Sequence, residues 1–142
     1  MRAAMLILLA SPFAVAAPVP KRAEKPAAEL KLSADPLVLE ITIQNNGKEP
    51  LELPYRVMPL EHFTIELRGA NGKSYTIPRL GENVTDAKPG ILTIPPGESE
   101  TLSLHICHYM PQVGKPGEKF TVAARLKLGD KVYESKPLTV DE

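Results

Sequence analysis

The sequence predicts an all-β chain, an antiparallel β-sandwich of about seven to nine short strands. Three observations predict it. Apolar residues recur at every second position in segment after segment, turn signals separate those segments at near-regular intervals, and no 3.6-residue period is sustained beyond residue 16. A single core is expected, because 142 residues fall within the commonest domain size.

The first stretch is an address rather than a strand. Met1 and Arg2 supply positive charge, Ala3 to Ala10 are apolar, and Ala14-Val15-Ala16 are small, so residues 1–16 read as a signal peptide cut between Ala16 and Ala17. The apolar run falls short of the roughly 20 residues that span a bilayer, and Pro12 interrupts it. The expectation is a secreted or periplasmic protein with no stable membrane insertion after cleavage. Residues 17–28 carry Pro18, Pro20 and Pro26 with mixed charge, the composition of a disordered linker, and the domain is expected over 29–142.

The strands follow in order. In LVLEITIQNNG, Leu39, Ile41 and Ile43 share one face and Glu40, Thr42 and Gln44 the other, until Asn45-Asn46-Gly47 ends the run. Pro50 to Pro54 alternates again, but its prolines cannot donate ladder hydrogen bonds, which suits an edge or a crossing segment. His62 to Arg68 turns Phe63, Ile65 and Leu67 inward, Asn71-Gly72 signals a hairpin, and Ser74 to Ile77 is the return strand. Residues 78–90 hold few large apolar side chains and read as a surface loop. Leu92 and Ile94 resume the alternation; Pro95-Pro96-Gly97 fits a type II turn, with Gly97 where φ must be positive. Leu102, Leu104 and Ile106 mark the next strand, and 110–117 is a second loop. Phe120, Val122, Ala124 and Leu126 alternate, Gly129-Asp130 turns the chain, and Lys131 to Val140 is expected as one last strand.

Three of these segments together, LEITIQNNGKEPLEL, FTIELRGANGKSY and LTIPPGESETLSL leading to GEKFTVAARLKL, resemble the immunoglobulin-like fold of the BsuPI-type proteinase inhibitors and related bacterial accessory domains. The resemblance runs from about Leu37 to Val140, and each segment joins an alternating strand to a turn. It implies an immunoglobulin-like β-sandwich and a non-catalytic, proteinase-inhibitor-like binding domain whose partner is another protein, a protease among the candidates. No inhibitory residues carry over by position.

Composition narrows the function further. The 17 basic and 17 acidic side chains balance, which gives no electrostatic case for a nucleic-acid partner. Loops 78–90 and 110–117 are the expected contact loops because they are long and rich in turn formers. Arg79 and Leu80 are the partner-binding side chains expected in the first of them. The tripeptide Asn83-Val84-Thr85 is a glycosylation sequon, relevant in a eukaryotic secretory pathway.

The alternative reading is a soft-metal carrier. All three His, the single Cys and both Met beyond the signal fall within 58–62 or 105–110. Imidazole, thiolate and thioether together suit copper(I), with His105, Cys107, His108 and Met110 as the ligand set. If Leu102, Leu104 and Ile106 face the core, His105 and Cys107 share the outer face about 7 Å apart at Cα. Against this, Met58 to His62 opens a strand that should run parallel to the one ending at His105, which places the two groups at opposite ends. No bound cofactor is expected in the binding-module reading. Cys107 and His108 are the only adjacent nucleophile and base, no oxyanion or phosphate-binding motif accompanies them, and the chain is expected to be no enzyme. As the only cysteine, Cys107 excludes an internal disulfide and leaves a disulfide-linked dimer as a third reading.

Overall fold

The computed structural model describes residues 27–35, 38–79, 86–115 and 117–141. The expected signal peptide, the linker up to residue 26, Leu80 and the sequon at Asn83 lie outside the described residues. The chain is an all-β sandwich. Its strands are β1 (Ala28–Asp35), β2 (Val38–Asn45), β3 (Leu51–Tyr55), β4 (Phe63–Gly69), β5 (Ser74–Thr76), β6 (Gly90–Ile94), β7 (Ser99–His105), β8 (Phe120–Leu128), β9 (Lys131–Glu134) and β10 (Leu138–Val140). Two 3-10 turns, Pro59–His62 and Met110–Gln112, complete the regular structure among the described residues. No helix of the described residues is long and apolar enough to cross a membrane.

One sheet runs β1-β2-β7 and the other β10-β8-β4-β5, with β9 also on β8; β3 and β6 form a separate ribbon. Every pairing is antiparallel. In the first sheet the second strand sits beside a late one, β7, and in the second sheet the fourth sits beside the eighth. Alternation explains which faces meet. Leu39, Ile41 and Ile43 of β2 are fully buried against Leu67 of β4 and Val122 and Leu126 of β8, one core between the two sheets. The ribbon adds Leu53 and Ile94 to the same core, so it covers the open side of the sandwich instead of projecting from it. On the opposite side β1 approaches β9 and β10 and closes the gap between the sheets.

Two expectations need correction. Ten strands are present among the described residues, against seven to nine expected, and β1 supplies one of the additions. It begins at Ala28, the last residue of the expected linker, and buries Ala28 and Leu30 opposite β2. The expected single strand from Lys131 to Val140 is two strands. Pro137 has no N–H to donate, and before it the Ser135 hydroxyl accepts the Ala124 N–H at 3.0 Å, which replaces a backbone ladder bond by a side-chain one. The expected type II turn is present: Gly97 has φ +80° and the Glu98 N–H donates to the Pro95 carbonyl at 3.1 Å.

Candidate functional site

The site forms where three chain segments meet at the start of β4. After β3 the chain turns through Arg56, Val57 and Met58 into Pro59–His62, with Pro59 at the first helical position, where its missing N–H costs nothing. Leu60 buries its side chain and anchors the turn. Glu61 then points its carboxylate back at the chain before it. It accepts the Arg56 N–H at 3.1 Å, the Met58 N–H at 3.2 Å and the Val57 N–H. The His62 ring nitrogen Nε2 hydrogen-bonds the Pro54 carbonyl, joining the turn to the end of β3.

Glu61 therefore serves the backbone before it serves any ligand. The Val57 N–H holds its carboxyl below the usual carboxylate range; burial opposes this in part, and the Arg56 and Met58 amides and the charge of His62 add to the lowering. A carboxyl lowered in the folded state contributes stability that is present above its unfolded value, 4.5, and is lost as pH falls through the folded value. Glu61→Gln is thus expected to unfold at lower urea than the parent at pH 7, and the gap is expected to close at pH 3. Urea midpoints of both proteins at the two pH values check this, and a gap that persists in acid would refute the charge-based account.

Arg79 reaches the same place by another route. The Ile77 N–H donates to the Ile65 carbonyl at 2.9 Å, so β5 stays against β4 beyond its regular pairing, and Pro78 then directs Arg79 outward. Lys127 arrives from β8, next to the tight β8–β9 turn at Gly129. Glu61, His62, Arg79 and Lys127 line one cleft of about 570 Å³ together with Thr64 and Thr76. Neither Arg79 nor Lys127 has an ion-pair partner among the described residues, where the pairs are Arg68–Glu66, Lys119–Asp141 and Arg125–Glu134. Among the described lining residues Arg79 and Lys127 outnumber the Glu61 carboxylate, whose oxygens are directed at backbone amides, so the lining carries net positive charge.

A second cleft of about 480 Å³ shares Glu61 and is lined by Pro54, Tyr55, Arg56, Pro89, Gly90 and Ile91. Ile91 is 61% exposed there, one of two large apolar side chains left open among the described residues. The two ends of the 78–90 loop thus line two different clefts, its root the cationic one and its return the apolar one. Spacing along the chain gives no sign of this, because residues 61, 79, 91 and 127 come from four separate segments.

The other expected contact loop lies elsewhere. Val113 is buried beside Gly69 at the end of β4, and the Tyr109 ring stacks on Tyr75 with centroids 6.3 Å apart. Six residue steps of strand separate Gly69 from Phe63, so the 110–117 loop sits about 20 Å from the cleft, at the far end of β4. Loops 78–90 and 110–117 do not form one compact contact patch.

The His and Cys cluster is also placed. β7 ends at His105, which is exposed; Ile106 is fully buried and its carbonyl accepts the Tyr109 N–H, so Cys107 and His108 lie in a turn. The strand parity that would set His105 and Cys107 on one face therefore stops one residue too early. Cys107 and Met110 are half-buried and His108 is exposed. Among the described residues no three His, Cys, Asp or Glu side chains gather in a group able to hold a metal ion. Met58 and His62 lie just before β4, whereas Tyr109 stacks on Tyr75, the partner of Leu67 near the other end of that strand. No protein-family model matches the chain, and no curated protein matches it either.

Proposed function

We propose that the protein is an exported, non-catalytic binding domain that engages a protein partner through the paired clefts at the base of the 78–90 loop. The observation that carries this reading is the pair of cations, Arg79 and Lys127, without an ion-pair partner among the described residues, on a cleft whose Glu61 carboxylate is directed at backbone amides. Such a cleft favours an acidic side chain or a terminal carboxylate. The neighbouring cleft beside Ile91 favours an apolar residue adjacent to it. Export rests on the character of residues 1–16, and the resemblance to the BsuPI-type inhibitors makes a protease the first partner class to try.

The test is a titration of extracellular proteases with the secreted protein. One protease is expected to lose activity in proportion to added protein. Arg79→Glu combined with Lys127→Glu is expected to weaken that inhibition by at least about tenfold, the equivalent of about 1.4 kcal/mol. Thr42→Glu, on the outer face of the other sheet, is expected to leave it unchanged. A protease panel that stays fully active under excess protein removes the inhibitor reading, and equal inhibition by the Arg79 and Lys127 variant removes the cleft as its site.

A further inference from the structure

The free edge of β7 supports a second interaction, independent of the clefts. In a four-stranded immunoglobulin sheet the strand preceding β7 would lie beside it, but here that strand, β6, pairs with β3, and β7 ends its sheet at three strands. Which backbone groups are left open follows from the hydrogen bonds at the strand's entry. The Asn45 N–H donates to the Glu98 carbonyl and the Gly97 N–H to the Asn45 carbonyl, while the Asn46 N–H turns the other way, to Ala27. Antiparallel alternation then directs the backbone groups of Ile43, Ile41 and Leu39 at their partners Glu100, Leu102 and Leu104. Ser99, Thr101, Ser103 and His105 are left with N–H and C=O on the free edge.

Among the described strands β7 has the longest free edge without a protecting device; β6, free on one side of its ribbon, has five residues and opens with Gly90. β5 and β10 have three residues each, β9 begins with Lys131, β3 contains Pro54, and β1 lies against β9 and β10. β7 runs for seven residues without Lys, Arg, Pro or Gly. Leu102 and Leu104 stay half-exposed on it, although Ile41 and Leu39, their partners in β2, are fully buried.

We infer that β7 pairs with β7 of a second copy of this chain, antiparallel about a two-fold axis at Leu102. That register sets Thr101 opposite Ser103 and Ser99 opposite His105 of the other copy, so all four open positions become hydrogen-bonded pairs, about eight backbone bonds in total. It pairs all seven residues and opposes no like charges. Glu100 meets Leu104, and the two Glu100 side chains stand about 14 Å apart along the strands, beyond the roughly 8 Å screening length. A register centred on Glu100 instead would set carboxylate against carboxylate. In the Leu102 register the two copies of Cys107 lie about 30 Å apart, so this dimer cannot be held by their disulfide.

Sedimentation of the full chain as secreted, in reductant, tests the pairing. The parent is expected to dimerise reversibly. Ser103→Pro removes an N–H that points away from β2, costs the native ladder no bond, and is expected to raise the dimer dissociation constant at least about tenfold with an unchanged circular dichroism spectrum. A second pair of variants reads the register itself. Thr101→Glu with Ser103→Glu sets Glu against Glu across the axis and is expected to be monomeric, whereas Thr101→Lys with Ser103→Glu sets Lys against Glu and is expected to dimerise. A parent that is monomeric at about 100 µM overturns the inference, as does equal dimerisation of the two charge variants. If Ser103→Pro fails to fold, the charge variants still decide.

Discussion

Asn45→Leu is expected to destabilise the domain by about 3 kcal/mol, a large effect for one side chain of similar size. Asn45 is 2% exposed and is the one buried polar residue among those described. Its Nδ2 donates to the Ile94 and Glu49 carbonyls, both at 2.9 Å, and its Oδ1 accepts the Gly47 N–H at 2.9 Å. Its backbone N–H and C=O meanwhile tie β2 to the type II turn at Glu98 and Gly97. One residue thus joins the end of β2, the β3–β6 ribbon and the turn into β7. Leucine would fill the space and leave all three side-chain partners without a bond. The Gly47 and Glu49 groups are near enough to the surface for water to replace the amide, whereas the buried Ile94 carbonyl is not, and an orphaned buried acceptor costs about 1–3 kcal/mol. Asn45→Asp is expected to cost more than leucine, because it removes both donors and sets a carboxylate against two carbonyls. Urea unfolding followed by circular dichroism suits a chain without Trp, and a loss below about 1 kcal/mol for either variant would sink this account.

The legible part of the fold was the part written in period two. Leu39, Ile41 and Ile43, then Phe63, Ile65 and Leu67, then Phe120 to Leu126 all bury the face their alternation assigns. Pro95-Pro96-Gly97 was equally readable, because only a positive-φ residue fits the third position of that turn. β1 lies almost wholly inside the expected domain, only Ala28 falling in the linker, and the alternation of Leu30, Leu32 and Ala34 that marks it is the weaker for ending in a small residue just before Pro36. Asn45 read as the end of a strand, because nothing local distinguishes a turn asparagine from one whose amide bridges to Ile94 forty-nine positions on. The cleft was the least legible feature. Arg79 was singled out for its loop, yet its companions His62 and Lys127 lie on other segments, and alternation within a strand does not say which strand ends meet. Glu61 did leave a local trace: an acidic residue two after Pro59 is a turn-capping pattern.

Gly69→Ala is expected to cost about 3 kcal/mol and to release the 110–117 loop from the end of β4. A Cβ at Gly69 would stand 2.0 Å from the Val113 carbonyl oxygen and 3.0 Å from both the Val113 carbonyl carbon and the Asn71 Oδ1. The first of these is backbone, so no rotamer change relieves it; either β4 leaves its Gly69–Phe120 pairing with β8 or the Val113 segment moves outward. The second is cheaper, because β4 carries Ile65 and Leu67 into the core while Val113 is the one buried side chain among the described residues of its loop. Gly90 supplies the control. A Cβ there meets the Tyr55 hydroxyl at 2.5 Å and its Cζ at 2.6 Å, the far end of a side chain on an open cleft, so Gly90→Ala is expected to cost under about 1 kcal/mol. The loop movement itself is read from Tyr109, whose stacking on Tyr75 would be lost, with a change in the near-ultraviolet circular dichroism of tyrosine. Equal stability of the two glycine variants would remove the close approach as the reason for Gly69. Because the clefts lie at the other end of β4, Gly69→Ala at a temperature where it remains folded is expected to retain partner binding, which separates the loop that holds the sandwich together from the loop proposed to make contact.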